Sequence, residues 1–184
     1  MTHPRCQTKY TIDGLTSFYH YNGVIKDAIK KIKYSYAFDI ANELVNIIPT
    51  SSFFIFSHLR TKNHEPRTCC MVPIPLHQSR YNFRGFNQAE IIANALGKRL
   101  NIPVNSHVLF RSQKTVPQVE MNDRDKRLAN MKNVFSIHNS SFEVRNSAII
   151  LVDDVFTTGA TLRSAASVLK HNGVKFVWGV TIAQ

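Results

Sequence analysis

The sequence predicts an α/β fold in which a mostly parallel sheet is flanked by helices, with a helical lead-in on the amino-terminal side. From residue 69 onward, short apolar runs alternate with segments of helical period, and this alternation favours βαβ units. A chain of 184 residues with 43% hydrophobic content can fill one ordinary core. Its 19% charged fraction, together with 12 phenylalanines, is not typical of a disordered chain.

The amino-terminal region divides into a leader and a helical segment. We expect residues 1–20, which are polar, to form a leader, and residues 21–184 to form one folded domain. Val24 to Ile48 carry apolar side chains at helical spacing before Pro49 stops the helix. This pattern predicts one long helix, or two short ones broken near Tyr34–Tyr36.

The middle of the chain contains two predicted strands with a helix between them. Cys69–Ile74 is a short apolar run that ends at Pro75, and it reads as the first strand. Gln88–Leu100 has helical spacing, and Val104–Phe110 is predicted as the second strand. The polar, basic stretch Arg111–Lys132 that follows is long for a connection in a compact domain, so we expect a mobile functional loop, partly helical.

The carboxyl-terminal part is predicted as strand, helix and strand. Ser147–Val152 is an apolar run typical of a buried strand. Thr161–His171 has helical spacing and ends at Asn172-Gly173, a common helix stop signal. Val174–Val180 is the predicted final strand.

Positive charge is concentrated in one part of the chain. The formal net charge is +11, and 13 Lys/Arg against 5 Asp/Glu lie between Arg60 and Lys132, a net +8. A solvated basic surface is one explanation. A groove that holds phosphates, of a metabolite or of nucleic acid, is the other, and charge alone does not choose between them.

Composition excludes several classes of protein. No run approaches the roughly 18 apolar residues that a membrane span needs, so no membrane insertion is expected. The first 20 residues lack the apolar core of a secretory signal. Three cysteines, two of them adjacent at Cys69 and Cys70, make no disulfide framework. We therefore expect a soluble, cytoplasmic protein.

The clearest candidate site follows the strand that ends at Val152. Two carboxylates come first, and a turn rich in threonine then opens a helix; the candidate residues are Asp153, Asp154, Thr157, Thr158, Gly159, Ala160 and Thr161. Backbone N–H groups at a helix start form an anion site suited to a phosphate. The two acids repel a bare phosphate and instead suit ribose hydroxyls or a magnesium-bound sugar. The alternative is a plain strand-to-helix turn with capping side chains.

This segment and a second one carry a family resemblance. Asp153-Asp-Val-Phe-Thr-Thr-Gly-Ala-Thr161 resembles the phosphoribosyl pyrophosphate (PRPP) motif of type I phosphoribosyltransferases. Val72-Pro-Ile-Pro-Leu-His77 and Arg84-Gly-Phe-Asn-Gln-Ala-Glu90 resemble the ComF/GntX family, which is associated with natural competence and the use of external DNA. The lead-in from Tyr21 to Lys33 resembles the same family, and the resemblance covers roughly residues 18–183.

The resemblance implies a PRPP pocket built from separate segments. Asp153 and Asp154 would hold the ribose hydroxyls, residues 157–161 the 5′-phosphate, and Arg80 and Arg84 the pyrophosphate side, with Mg²⁺ bridging oxygens of PRPP. The basic loop would close over the site and expel water. We expect single-stranded DNA as a further ligand; the candidate contacts are Arg111, Lys114, Arg124 and Arg127. Phe83 and Phe86 are either base-stacking or core residues.

Two features depart from family patterns and leave the function open. Many members carry a four-cysteine zinc module before the helix, whereas only His3 and Cys6 remain here, so we expect no zinc, either because the gene lacks the module or because the chain is a fragment. Purine-type enzymes have an acid where Thr157 stands, and no base-recognition hood is evident after Val180.

Three functional hypotheses remain. The first is a competence factor that handles incoming single-stranded DNA, with PRPP or a nucleotide as ligand and other competence proteins as candidate partners. The second is a phosphoribosyltransferase of nucleotide salvage. The third, weaker one is a regulatory PRPP sensor. The absent hood and the missing acid favour the first.

Overall fold

A parallel four-stranded sheet forms the centre of the fold. The computed structural model describes residues 10–53, 69–111, 134–137 and 147–184. The strands in chain order are β1 (Gly14–Tyr19), β2 (Cys69–Pro73), β3 (Leu109–Arg111), β4 (Phe135–Ile137), β5 (Ala148–Val155) and β6 (Phe176–Ala183). The main sheet has the order β1-β6-β5-β2, with every neighbouring pair parallel. The α/β class predicted from the sequence is therefore confirmed.

Helices cover both faces of this sheet. They are α1 (Gly23–Tyr34), α2 (Phe38–Asn46), α3 (Gln78–Arg84), α4 (Gln88–Leu100) and α5 (Ala160–His171), with a 3₁₀ turn at Thr50–Phe53. The apolar sides of α1, α2 and α4 pack on one face of the sheet. The other face is covered by α5 and by the antiparallel pair β3–β4. Two apolar layers thus enclose one central sheet.

Strand β5 is buried on both faces, which explains its unbroken apolar sequence. Ile149 and Leu151 pack with the α5 layer, and Ile150 and Val152 pack with the layer of α1, α2 and α4. Successive side chains of a strand point to opposite faces. This alternation decides where the two acids that follow Val152 must point.

The helical lead-in is broken, as one of the two sequence alternatives predicts. Helix α1 ends at Tyr34, and α2 begins at Phe38. Between them Tyr36 has a φ of 54°, in the left-handed region that a continuing right-handed helix excludes. Arg99 of α4 anchors the far end of α2 by donating hydrogen bonds to the carbonyl oxygens of residues 45, 46 and 48.

The prediction of a polar leader over residues 1–20 is wrong for residues 14–19. These residues form β1, which pairs with β6 from Gly14↔Trp178 to Tyr19↔Ala183. The domain start predicted at residue 21 therefore falls after a strand of the sheet. A Cβ at position 14 would overlap the Trp178 ring, so this glycine permits the close approach. The short strand was missed because its partner lies far away in the sequence.

The predicted strand Val104–Phe110 is wrong in extent, since only its last two residues lie in a strand. Val104 makes only an isolated parallel bridge with Met71, at the edge of β2. The Asn105 side chain accepts a hydrogen bond from the His107 backbone at 3.0 Å, a local turn that interrupts extended structure. Strand β3 begins at Leu109 and pairs with β4 instead.

The other predicted elements change mainly at their ends. Strand β5 continues through Val155, so both acids lie inside the strand rather than after it. The final strand is displaced towards the chain end, at Phe176–Ala183, and α3 was not predicted. Of the predicted loop Arg111–Lys132, residues 112–132 lie outside the described residues, as do His3 and Cys6.

Candidate functional site

The two acids of β5 occupy the carboxyl end of the central strand and point to opposite faces. Asp154 continues the row of Ile150 and Val152, towards α1, and its residue is 6% exposed. Asp153 continues the row of Leu151, towards the α5 side. The carboxyl ends of parallel strands are the usual ligand edge of an open α/β sheet. One acid is therefore available on each face of that edge.

Asp154 is held by an ion pair with Lys33 of α1. The Lys33 Nζ atom lies 2.6 Å from Asp154 Oδ2, and the side chains are only 22% and 8% exposed. The other carboxylate oxygen accepts a hydrogen bond from the Val155 backbone at 2.7 Å. Burial acts to lower the pKa of Lys33, but the Asp154 carboxylate outweighs it, so the pKa is raised above its ordinary value. Lys33 thus stays charged and fixes α1 to the sheet edge.

Asp153 lies in a different electrostatic setting. Burial, and then the neighbouring Asp154 carboxylate, raise the pKa of Asp153 above its ordinary value, although Lys33 opposes this. Its Oδ1 atom accepts a hydrogen bond from the Asp154 backbone at 2.9 Å. Burial and the nearby Arg80 guanidinium lower the pKa of Arg111, whereas Asp153 raises it. Of the sequence candidates, Arg111 therefore lies close enough to interact with both Arg80 and Asp153.

The turn after β5 is shaped to begin a helix. Gly159 has a φ of 71°, and a Cβ there would lie 2.6 Å from the Phe156 ring, so only glycine fits. The Thr158 hydroxyl accepts a hydrogen bond from the Ala160 backbone at 3.3 Å, and Arg163 donates to the Thr158 carbonyl oxygen at 2.5 Å. The predicted turn is thus held from both sides at the start of α5, where backbone N–H groups favour anions.

The segment between β2 and α4 lies beside the acids. The His77 side chain caps α3 by accepting a hydrogen bond from the Ser79 backbone at 3.1 Å. Asn87 caps α4 and also donates to the Ile74 carbonyl oxygen at 3.0 Å, just past the end of β2. Asn87 is therefore the N-cap of α4, and its second hydrogen bond fastens the helix to the sheet edge.

The two arginines predicted for the pyrophosphate side make different contacts, although both belong to α3. Arg80 lies near Arg111, whereas Arg84 donates to the Gln88 side chain at 2.5 Å and stands 5.2 Å from the Tyr34 ring centroid. Phe83 is 85% exposed, which excludes it from the core. Three candidates lie outside the described residues: Lys114, Arg124 and Arg127.

Sequence reasoning missed three polar side chains at this edge. Lys33 belongs to the lead-in motif, but no local sequence pattern predicts its ion pair with Asp154, which lies 121 positions away. Thr181 is opposite Asp153 in the sheet register, and Ser17 is opposite Thr181. Within the described part of the chain, neither hydroxyl has a hydrogen-bond partner. Asp153, Thr181 and Ser17 thus form a polar strip that crosses β5, β6 and β1.

Two further statements hold for the described residues. No group of three or more His, Cys, Asp or Glu side chains in these ranges could hold a metal ion. None of their helices combines the length and apolar character needed to cross a membrane.

The parallel sheet carries an acid pair and a glycine turn that opens a helix at its carboxyl edge, which is the arrangement of a phosphoribosyltransferase-like fold. Residues 84–183 match the phosphoribosyl transferase domain family. This match covers more than half of the chain and includes the acids, the turn and α5. The chain therefore belongs to that family.

Similar proteins with curated names indicate which members of this family the chain resembles. Competence protein F of Haemophilus influenzae is 36% identical over 115 residues, which cover 61% of this chain and 50% of that protein. Competence protein ComFC of Bacillus subtilis is 32% identical over 157 residues, covering 85% and 58%. DNA utilization protein YhgH of Escherichia coli K12 is 34% identical over 107 residues, covering 58% and 45%. The chain thus spans about half the length of these relatives, and their names confirm its resemblance to the ComF family.

We expect Lys33→Met to destabilise the protein by about 3–5 kcal/mol, because it leaves the buried Asp154 carboxylate without a counter-charge. Urea unfolding measures this loss. The matched control is Lys30→Met on the same helix, whose 3.8 Å pair with Asp27 is exposed and worth less than about 1 kcal/mol. The double variant Lys33→Met/Asp154→Leu should recover most of the loss. Equal stability of Lys33→Met and Lys30→Met would contradict the assigned role of the pair.

The raised pKa of Asp153 predicts a pH-dependent stability. Above the ordinary value of 3.8 and below the raised value, the native state binds more protons than the unfolded state, so the free energy of unfolding falls as the pH rises. Asp153→Asn should make this fall shallower, and Asp39→Asn, at an exposed acid, should follow the parent. Urea titrations at several pH values between 4 and 8 compare the slopes. A slope unchanged in Asp153→Asn would show that burial of this carboxyl is not its source.

Proposed function

We propose that the protein binds PRPP with magnesium at the carboxyl edge of its sheet and acts in the uptake or use of external DNA. One observation carries the proposal. Two adjacent carboxylates end the central strand, and a glycine-dependent turn directly after them opens α5. This order provides acceptors for sugar hydroxyls and donors for a phosphate within one short segment.

Each part of the edge has a role in this proposal. Asp153 and Asp154 accept hydrogen bonds from the ribose hydroxyls, and residues 157–161 surround the 5′-phosphate. Arg111, whose charge is influenced by both Asp153 and Arg80, and Arg80 itself supply positive charge for the pyrophosphate. Arg84 joins them only if its contact with Tyr34 is given up.

The side chains present fit a magnesium ion that is held mainly through PRPP. Asp154 is already paired with Lys33, and Asp153 points to the other face of the sheet, so the two acids do not form a chelating pair. Pyrophosphate and ribose oxygens would therefore supply most of the ligands of the ion, and Asp153 would be the carboxylate left to join them. Bound magnesium would neutralise charge on the pyrophosphate.

Charge and relatives support the role in DNA use. The chain carries a net +8 between Arg60 and Lys132, and relatives are named for competence and DNA utilization. We propose single-stranded DNA as the nucleic acid and Arg111, Lys114, Arg124 and Arg127 as its phosphate contacts, with other competence proteins as partners. A salvage phosphoribosyltransferase is the alternative. This alternative is the less favoured one because position 157 holds an exposed threonine, where purine-type enzymes carry an acid.

Asp153→Asn should weaken PRPP binding at least tenfold at a pH above the raised pKa of Asp153, because each hydrogen bond to the charged carboxylate is worth about 1.5–3 kcal/mol. Isothermal calorimetry with PRPP and magnesium measures the affinity. Glu43→Gln, at an exposed acid of α2, is the matched control and should bind like the parent. Identical binding by Asp153→Asn would overturn the ribose assignment. Pyrophosphate release from PRPP with one free base, independent of DNA, would assign the salvage activity instead.

Replacing the proposed DNA contacts should change the salt dependence of binding. On single strands the log–log slope is about −0.7 for each phosphate neutralised, so each critical cation removed should reduce its magnitude by roughly that amount. Fluorescence anisotropy with a labelled oligonucleotide at several salt concentrations compares the parent with the alanine variants at the four positions. Lys26→Ala, at an exposed lysine of α1, controls for general loss of charge. A parent slope near zero would reject the DNA contact.

A further inference from the structure

Four aromatic rings and one guanidinium gather where α1 ends and α2 begins. This aromatic surface consists of Tyr34, Tyr36, Phe38, Arg84 and Phe86. The Tyr36 and Phe86 centroids are 5.3 Å apart, and the Phe38 and Phe86 rings meet edge-to-face at 4.8 Å. The Arg84 guanidinium stands 5.2 Å from the Tyr34 ring centroid. The members thus support one another without forming a core.

The aromatic surface is open to solvent. Tyr34 is 66% exposed, Tyr36 60% and Phe38 38%. Tyr36 also holds a left-handed backbone conformation, which costs energy for a bulky residue and is common at functional sites. Contacts with Phe38 and Phe86 hold its ring in that place. A large ring kept exposed on a strained residue needs an explanation other than packing.

Two residues that adjoin the aromatic surface in the sequence contact the carboxyl edge of the sheet. Tyr34 directly follows Lys33, whose ammonium group contacts Asp154 at 2.6 Å. Phe86 directly precedes Asn87, whose amide donates to the Ile74 carbonyl oxygen just past β2. The surface therefore adjoins the carboxyl edge of the sheet, on the face towards which Asp154 points.

Charge around the aromatic surface is mainly positive. Lys30 and Lys31 are exposed and lie one turn before Tyr34 on the same side of α1. Arg84 adds a cation that is stacked on a ring rather than paired with an acid in the described contacts. Asp39 is the exposed acid of α2 next to Phe38. Rings interleaved with cations complement bases joined to phosphates.

We propose that the aromatic surface stacks a nucleobase, with Tyr36 and Tyr34 as the contacting rings. The proposal rests on the proposed function for its ligand class, since it places a base next to the ribose that Asp154 would hold. Two sources share this chemistry: a base of single-stranded DNA, and a free base that accepts the ribosyl group. Tyr36 provides the ring face, and the nearby cations bind the phosphates of a strand.

The test removes the ring and keeps the backbone. Tyr36→Asn retains a residue that tolerates the left-handed conformation, and Tyr34→Gln removes an exposed helical ring as a second variant. Val24→Asn, at a residue 83% exposed at the start of α1, is the matched control. Anisotropy is measured with an oligothymidylate and with an abasic strand of equal length, and 2-aminopurine quenching is measured with PRPP present.

We expect both ring variants to bind oligothymidylate about tenfold more weakly, with abasic-strand binding and the control unchanged, and with PRPP binding unchanged in Tyr36→Asn. If only the 2-aminopurine signal is lost, the source is a free base and the proposal stands. Unchanged binding of both probes by both variants would overturn it. The proposal would also be overturned if Tyr36→Asn lost self-association that the parent shows while base binding stayed intact, since the aromatic surface would then be an interface between two copies of the chain.

PRPP calorimetry on the parent separates this proposal from the proposed function. A parent that binds PRPP but neither probe overturns the base-stacking proposal and leaves the PRPP site standing. If the parent does not bind PRPP, and Tyr36→Asn still binds oligothymidylate more weakly than the parent does, the PRPP site is rejected and base stacking is supported.

Discussion

The burial of β5 on both faces is the constraint on which the rest of the structure depends. A strand that packs against two apolar layers must alternate its side chains between them, and the alternation continues into the two acids at its end. Adjacent carboxylates in the sequence are therefore assigned to different faces. Asp154 requires a counter-charge on its face, which Lys33 of α1 supplies at 2.6 Å.

This ion pair gives the amino-terminal helices a position relative to the ligand edge. Helix α1 is joined to Asp154 by Lys33, and α2 is joined to α4 by the hydrogen bonds of Arg99. The break at Tyr36 between the two helices is consequently held next to the sheet edge. A segment that the sequence suggested to be only a lead-in therefore contributes Lys33 to the acid end of β5.

On the opposite face the electrostatics differ. Burial disfavours the charge of Asp153, and the guanidinium of Arg111 interacts with this carboxyl on one side and with Arg80 on the other. A phosphorylated sugar presents both hydroxyl donors and negative charge, so one ligand satisfies the carboxylate and the cations together. The hydroxyls of Thr181 and Ser17, aligned with Asp153 across the sheet, continue this polar strip.

The sequence by itself determined the features that depend on interactions between residues close together in the chain. The apolar run, the two acids and the Gly159 turn predict strand, acid pair and helix start in order, and the helical period of Gln88–Leu100 survives unchanged. Only the tertiary structure decided what depends on distant partners. Strand β1 exists because β6 pairs with it, β3 pairs with β4 rather than with the main sheet, and Lys33 meets Asp154. Local patterns encode backbone preference and amphipathic period, whereas the choice of partner is made by burial and charge across the whole fold.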